Sequence, residues 1–230
     1  VYRDWRGEQN KVSNPPSATA TTQFRARIWQ NPTPTNLKSN WYDDLEEAYC
    51  TSITQKEYIV TMNELKSALG RMPDNKSPGT DLITSFWIKN LHSLHESLLS
   101  ELKLIYSGDN SIPEWLATSR TTLVPKNKES HLPNSFRPIA CLNSTYKLYT
   151  SILNQFLEEH CTTNNILAFE QAGGKKGSWG CTDQLLINRM ILDEVRTYRR
   201  NLFCMWFDYK KAYDSVSHEW LIESLKLAKV

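Results

Sequence analysis

Six consecutive apolar residues, Leu202-Phe203-Cys204-Met205-Trp206-Phe207, run straight into an acid, Asp208. An apolar run of this length reads as a strand buried on both faces. A carboxylate at the carboxyl end of such a strand stands at the lip of a sheet, where open α/β folds place their ligands. The chain is thereby expected to build a sheet with Asp208 at its edge, on a turn running to Val216.

Elsewhere the period is mostly helical. Trp41–Tyr49 places Leu45, Ala48 and Tyr49 on one face and acids on the other. Thr61-Met62-Asn63-Glu64 has the form of a capping box, and predicts a helix to about Arg71, before Pro73. Helical patterns cover Ser93–Tyr106 and, after Pro113, the stretch to Thr118. The period then changes to two over Arg120–Val124 and Phe136–Ala140, which read as strands separated by a polar loop. Tyr146–Glu159 is helical, with Leu148, Ile152, Leu153, Phe156 and Leu157 as its apolar face. Thr182–Arg199 is helical with Leu185, Leu186, Met190, Ile191 and Val195 facing inward, and Ser217 caps a last helix to Lys229. The class is α+β, mostly helical with a small antiparallel sheet. Residues 1–36, rich in Asn, Pro, Ser and Thr, have linker composition, with Trp29, Pro32 and Pro34 beginning to dock onto the adjoining domain. Residues 37–118 read as a helical region, and 119–230 as the domain that carries the chemistry.

No stretch approaches the ~18 apolar residues of a membrane span, and Val1-Tyr2-Arg3-Asp4-Trp5 has no signal-peptide form. Cys50, Cys141, Cys161, Cys181 and Cys204 lie at least twenty residues apart, a spacing of neither a disulfide framework nor a zinc site. They read as reduced, mostly buried thiols of an intracellular protein. His92 and His95 lack a third ligand nearby and read as surface or packing residues.

The net charge of +2 hides a division. Between Trp41 and Glu64 stand six acids and one base, Lys56. Between Ser119 and Lys147 stand five bases (Arg120, Lys126, Lys128, Arg137 and Lys147) against one acid, Glu129. A locally basic surface attracts phosphates whatever the overall charge.

The motifs sharpen this. Phe207-Asp208-Tyr209-Lys210-Lys211-Ala212-Tyr213-Asp214-Ser215-Val216 resembles the first catalytic-aspartate motif of reverse transcriptases, in the form used by non-LTR (LINE-like) retrotransposons. Asn75-Lys76-Ser77-Pro78-Gly79-Thr80-Asp81 is similar to the block that introduces those polymerase domains. Leu123-Val124-Pro125-Lys126, Asn134-Ser135-Phe136-Arg137-Pro138-Ile139 and Tyr146-Lys147 resemble the fingers. Glu170-Gln171-Ala172-Gly173, Lys175-Lys176-Gly177 and Cys181-Thr182-Asp183 resemble the next block, with Gly174 where the family commonly has an aromatic. The ordered matches cover about Lys76 to Leu221. Group II intron maturases and telomerases are the nearest rivals, and the Lys-x-Pro-Gly and Phe-Arg-Pro-Ile forms favour the retrotransposon.

The resemblance implies a right-hand polymerase fingers and early palm, acting as an RNA-directed DNA polymerase on an RNA template, a DNA primer and dNTPs. Two Mg²⁺ ions, or Mn²⁺ in their place, would serve the complete enzyme. Asp208 would be the first catalytic and metal-binding carboxylate. Tyr213 would lie beneath the incoming sugar and exclude a ribose hydroxyl, and Lys126 and Arg137 would contact the triphosphate. Lys147, Gln171, Gly173, Lys175 and Lys176 would meet the nucleic-acid backbone, where two glycines before two lysines suit close approach to a phosphate. Asp214, about 600° of helical rotation from Asp208, is assigned to shaping the turn rather than to metal.

The family's aromatic-x-Asp-Asp block has no counterpart, since the one Asp-Asp pair, Asp43-Asp44, lies upstream of every polymerase motif. One carboxylate is a poor Mg²⁺ site, so these 230 residues alone are expected to polymerise negligibly. A non-catalytic, nucleic-acid-binding remnant is the alternative reading. Action on chromosomal DNA would imply a nuclear phase, although the sequence carries no clear import signal.

Overall fold

A computed structural model describes residues 16–30, 36, 40–50, 52–109, 111–126, 132–175, 177–209 and 212–230, except the side chains of Tyr49 and Cys50. The expectations for Pro32, Pro34, Lys128, Lys176 and the lysines at 210 and 211 lie outside these residues. The chain divides into two compact units, one from Val1–Asn31 and Tyr58–Gln155, the other from Pro32–Glu57 and Phe156–Val230.

In the first unit, helix α1 spans Ala18–Trp29, capped by Ser17, whose hydroxyl accepts from Ala20 N at 3.1 Å. The linker-like composition of residues 1–36 gives no sign of a helix here. Its apolar content is thin, and a tertiary hydrogen bond from Arg25 Nη to Phe136 O, at 2.7 Å, adds what propensity alone would not hold. Helix α3, Met62–Arg71, begins with the anticipated capping box: Asn63 N donates to the Thr61 hydroxyl and Thr61 N donates to Glu64 Oε2. Helix α4, Ser85–Asn90, is too short for a periodicity signal. Next come α5, His95–Tyr106, and α6, Glu114–Ala117, which starts directly after Pro113.

Strands β1, Ser119–Pro125, and β2, Phe136–Leu142, pair antiparallel with Ser119 opposite Leu142 and Pro125 opposite Phe136. Alternation puts Arg120, Thr122, Val124, Arg137, Ile139 and Cys141 on one face of this hairpin and Thr121, Leu123 and Pro138 on the other. Helix α7, Ser144–Thr163, belongs to this unit as far as Gln155. The core of the unit is Val60, Leu65, Ala68, Leu69, Leu102, Leu116, Phe136, Leu148 and Ile152, all buried. Tyr106 is set into it: its hydroxyl donates to Tyr149 O at 2.6 Å, and burial, reinforced by Tyr149, pushes its pKa up.

The second unit contains α2, Asn40–Cys50, the end of α7, α8, Cys181–Thr197, and α9, His218–Leu227, capped by Ser217 as expected. Asn164 clamps the segment before Glu57, accepting from Thr54 N at 2.8 Å and donating to Thr54 O at 3.1 Å. Trp41 packs edge-on against Trp220 with ring centres 5.3 Å apart, and buried His160 donates to Ala228 O at 2.7 Å.

Three expectations fail in this unit. Leu202–Phe207 is not a strand: the described sheet is the β1–β2 pair, and the run has no ladder partner among the described residues. A hydrophobic run reports that burial is favourable, whereas a strand exists only where another strand supplies hydrogen bonds. Phe203 is 96% exposed and Phe207 79%. Leu185, Leu186, Met190 and Ile191 of α8 are likewise exposed rather than inward, and Trp206 lines a shallow cleft with Leu185 and Ile191. Of the thiols, Cys181 and Cys204 are exposed rather than buried. His95 is a packing residue, as expected, its Nε2 lying 2.9 Å from Ile88 O.

Candidate functional site

The Lys-x-Pro-Gly-x-Asp loop is shaped by one buried amide. Asn143 is 1% exposed, between β2 and α7, and its Nδ2 donates to Trp115 O at 2.8 Å. Its Oδ1 accepts from the Thr80 hydroxyl at 3.3 Å and Asp81 N at 3.4 Å. Gly79 passes so close that a Cβ there would sit 2.0 Å from Asn143 Oδ1 and 2.7 Å from its Cα. The motif glycine is therefore demanded by backbone approach. Asp81 Oδ1 then accepts from Ile83 N at 3.0 Å, and Ser144 donates to Ile83 O at 2.7 Å. Between these two anchors Leu82 is held at φ 59°, a left-handed conformation unfavourable for a leucine.

Pinning this loop brings Lys76 and Ser77 to the β hairpin. Together with Arg120 and Lys147 they line a cleft of about 430 Å³, floored by Thr122, Val124 and Ile139. The Lys147 ammonium donates to Ser77 O at 3.0 Å, which fixes it at the rim and leaves donors to spare. Arg137 stands on the same hairpin face, opposite Val124, and is exposed. No acid pairs with Arg120 or Arg137 among the described residues. Lys126 sits one residue past β1: its N donates to Ser135 O at 2.8 Å and its ammonium to Asn134 O at 3.2 Å. Cations thus concentrate on one face of a stiff, two-stranded platform.

Among the other expected residues, Gln171 donates to Gly173 O at 3.0 Å, closing a small turn, with Gly174 at φ 75° and Lys175 half-buried. Lys176 lies outside the described residues. Asp208 and Tyr213 belong to the second unit and are exposed, Tyr213 at 99%, on either side of the undescribed positions 210 and 211. Residues 212–216 form a turn in which Ser215 donates to Ala212 O at 3.2 Å.

The residues that sequence reasoning leaves unassigned are Asn143, Arg120 and Lys76. Arg120 counts toward the basic stretch but has no motif of its own. Its signal is position: it shares the strand parity of Val124, whose ladder partner is Arg137.

Residues 124–230 match the family "Reverse transcriptase (RNA-dependent DNA polymerase)", and the chain is similar to proteins of transposons and retrotransposable elements. The chain is 27% identical over 175 residues to the "Transposon TX1 uncharacterized 149 kDa protein" of Xenopus laevis, which covers 74% of this chain and 13% of that protein. It is 25% identical over 190 residues to the "Probable RNA-directed DNA polymerase from transposon BS" of Drosophila melanogaster, covering 80% and 20% respectively. A third relative, at 23% over 167 residues, is the "Retrovirus-related Pol polyprotein from type-2 retrotransposable element R2DM" of the same fly, covering 73% and 15%. The chain thus spans between 13% and 20% of the length of these relatives.

Reverse transcriptases as a family depend on divalent metal. Among the described residues no group of three or more His, Cys, Asp or Glu side chains is placed to hold an ion. Asp208 is a single exposed carboxylate, so these residues do not by themselves make up a metal site. Among the described residues no helix is long and apolar enough to cross a membrane.

Proposed function

We propose that this chain forms the fingers and early palm of an RNA-directed DNA polymerase that copies an RNA template from a DNA primer using dNTPs. The observation that carries the reading is the single cationic face of the hairpin, where Arg120 and Arg137 share one side and Lys76 and Lys147 close the cleft. It lies in a chain whose residues 124–230 match the reverse transcriptase family. A guanidinium on a stiff strand can fork onto phosphate oxygens, while a lysine serves as a mobile point charge. In this reading Arg137 and Lys126 take the incoming triphosphate, and Arg120, Lys147, Gln171, Gly173, Lys175 and Lys176 track the nucleic-acid backbone. Tyr213 lies under the sugar, and its full exposure leaves its ring face available for that contact. Asp208 contributes one carboxylate toward Mg²⁺, or Mn²⁺, with the remaining ligands supplied from outside this set of residues. The work on chromosomal DNA implies a nuclear phase.

The test is binding of an RNA–DNA hybrid by this chain, with and without the dNTP matching the template. A dNTP-dependent gain in affinity, lost in Arg137→Ala, is expected. Arg120→Ala should weaken hybrid binding uniformly across sequences and lower the slope of log affinity against log salt by about one. Hybrid binding with no salt dependence, or with the same dNTP response in Arg137→Ala, would overturn the assignment.

A further inference from the structure

The loop between α7 and α8 carries a tryptophan that packs into no core. Trp179 is 79% exposed, and its ring has no aromatic or cation partner among the described residues. Its backbone, by contrast, is held from both sides. The Ser178 hydroxyl donates to Ala172 O at 2.9 Å and accepts from Gly180 N at 2.9 Å. Thr182 N donates to Trp179 O at 3.4 Å, and Ser178 N to Lys175 O at 3.3 Å. Gly180 follows at φ 64°, a conformation open to glycine and unfavourable for residues with a Cβ. The loop is thus tied across itself, with the indole left in water.

A large apolar ring on a fixed backbone adds nothing to a core and stands ready for a flat partner. The rest of the loop says which partner. From Gln171 to Thr182 it carries two lysines, Lys175 and Lys176, and no acid. The Lys175 ammonium has no hydrogen-bond or ion-pair partner among the described residues. A Cβ added at Gly174 would meet nothing within 4 Å, and one at Gly173 only the Gln171 amide at 3.8 Å, so the backbone here is open to close approach. An unpaired cation near a presented ring is the combination that holds single-stranded nucleic acid: the phosphate takes the charge and an unstacked base covers the aromatic face. In a duplex the bases are stacked on one another and leave no face free for the indole. We propose that the α7–α8 loop grips an unpaired nucleic-acid strand, with one base stacked on Trp179 and an adjoining phosphate on Lys175. The inference rests on the reading above that this loop meets nucleic acid, and adds that the strand it takes is single and is held by a base.

The experiment compares binding of this chain to single-stranded oligoadenylate RNA, to an abasic strand of the same length and charge, and to oligoglutamate. Oligoadenylate should bind more tightly than the abasic strand. Trp179→Ala should weaken oligoadenylate binding roughly fivefold to a hundredfold, as expected for losing one stacked base, and leave the abasic strand unaffected. Trp179→Phe should restore most of the affinity. Lys175→Gln should weaken both strands and lower the slope of log affinity against log salt by about 0.7. Circular dichroism establishes that each variant is folded, and the comparison of the two strands on the unmodified chain needs no variant. Equal binding of the two strands, no binding of either, or a preference for oligoadenylate kept in Trp179→Ala would each overturn the stacking. Tighter binding of oligoglutamate than of either strand would overturn it in favour of an acidic peptide. The dNTP response of the hybrid is read separately: its absence, with the Trp179-dependent preference intact, would overturn the polymerase reading and uphold this inference.

Discussion

Gly79 and Asn143 show how a short motif is written by packing. The loop from Lys76 to Asp81 turns against the Asn143 side chain, whose amide joins that loop to Trp115 O. Gly79→Ala would force a Cβ onto Asn143 backbone as well as its side chain. Overpacking of this kind costs about 1–3 kcal/mol, and we expect that loss in denaturant unfolding. Because the displaced loop carries Lys76 and Ser77, hybrid binding should weaken in the same variant. An unchanged unfolding midpoint would show that the loop is not pinned there. Asn143 is invisible in the sequence because nothing local distinguishes a buried, hydrogen-bonded asparagine from an ordinary turn asparagine. Gly79 and Asp208 are legible because they sit in ordered motif words, whereas Arg25 is not, because its hydrogen-bond partner lies 111 residues away.

At the scale of elements, the helices that carry their own start signals are readable. Thr61 and Glu64 announce α3, and Ser217 announces α9. The strand pair is readable from its period of two and its intervening loop. Helix α1 is not, since its composition is that of a linker and its buried Arg25 bonds to Phe136 O, far away in sequence. Removing the α3 cap by Thr61→Ala should destabilise the chain by about 1 kcal/mol. The hydrogen bond from Thr61 holds the Glu64 carboxyl below the ordinary carboxylate range. A carboxylate with a lowered folded value stabilises above its unfolded value and ceases to do so as pH falls through the folded one. The difference between wild type and Thr61→Ala should therefore be full at neutral pH and shrink as acid protonates Glu64. A difference that grew in acid would contradict the capping geometry.

At the scale of the molecule, burial is uneven. Among the described residues, the first unit holds nearly all of the buried hydrophobic ones, from Val60 to Ile152. In the second, α8 and the run Leu202–Phe207 leave Leu185, Met190, Phe203 and Phe207 exposed. The sequence marks that run as apolar enough to be a central strand. What it does not show is whether another strand is present to pair with it, since pairing depends on segments distant in sequence. Amide hydrogen exchange should separate the two: Leu148–Ile152 and the β1–β2 ladder protected, residues 202–209 exchanging close to the unprotected rate. Strong protection across 202–209 would show that the run is paired after all.

The decisive experiment is primer extension on an RNA template with Mg²⁺ by the protein that carries these residues and by its Asp208→Asn variant. DNA synthesis should fall by at least about a hundredfold in the variant, with hybrid binding retained, as expected when a charge that stabilises the transition state is removed. Equal synthesis by both proteins would contradict Asp208 as the catalytic carboxylate, and no synthesis by either would contradict the polymerase itself.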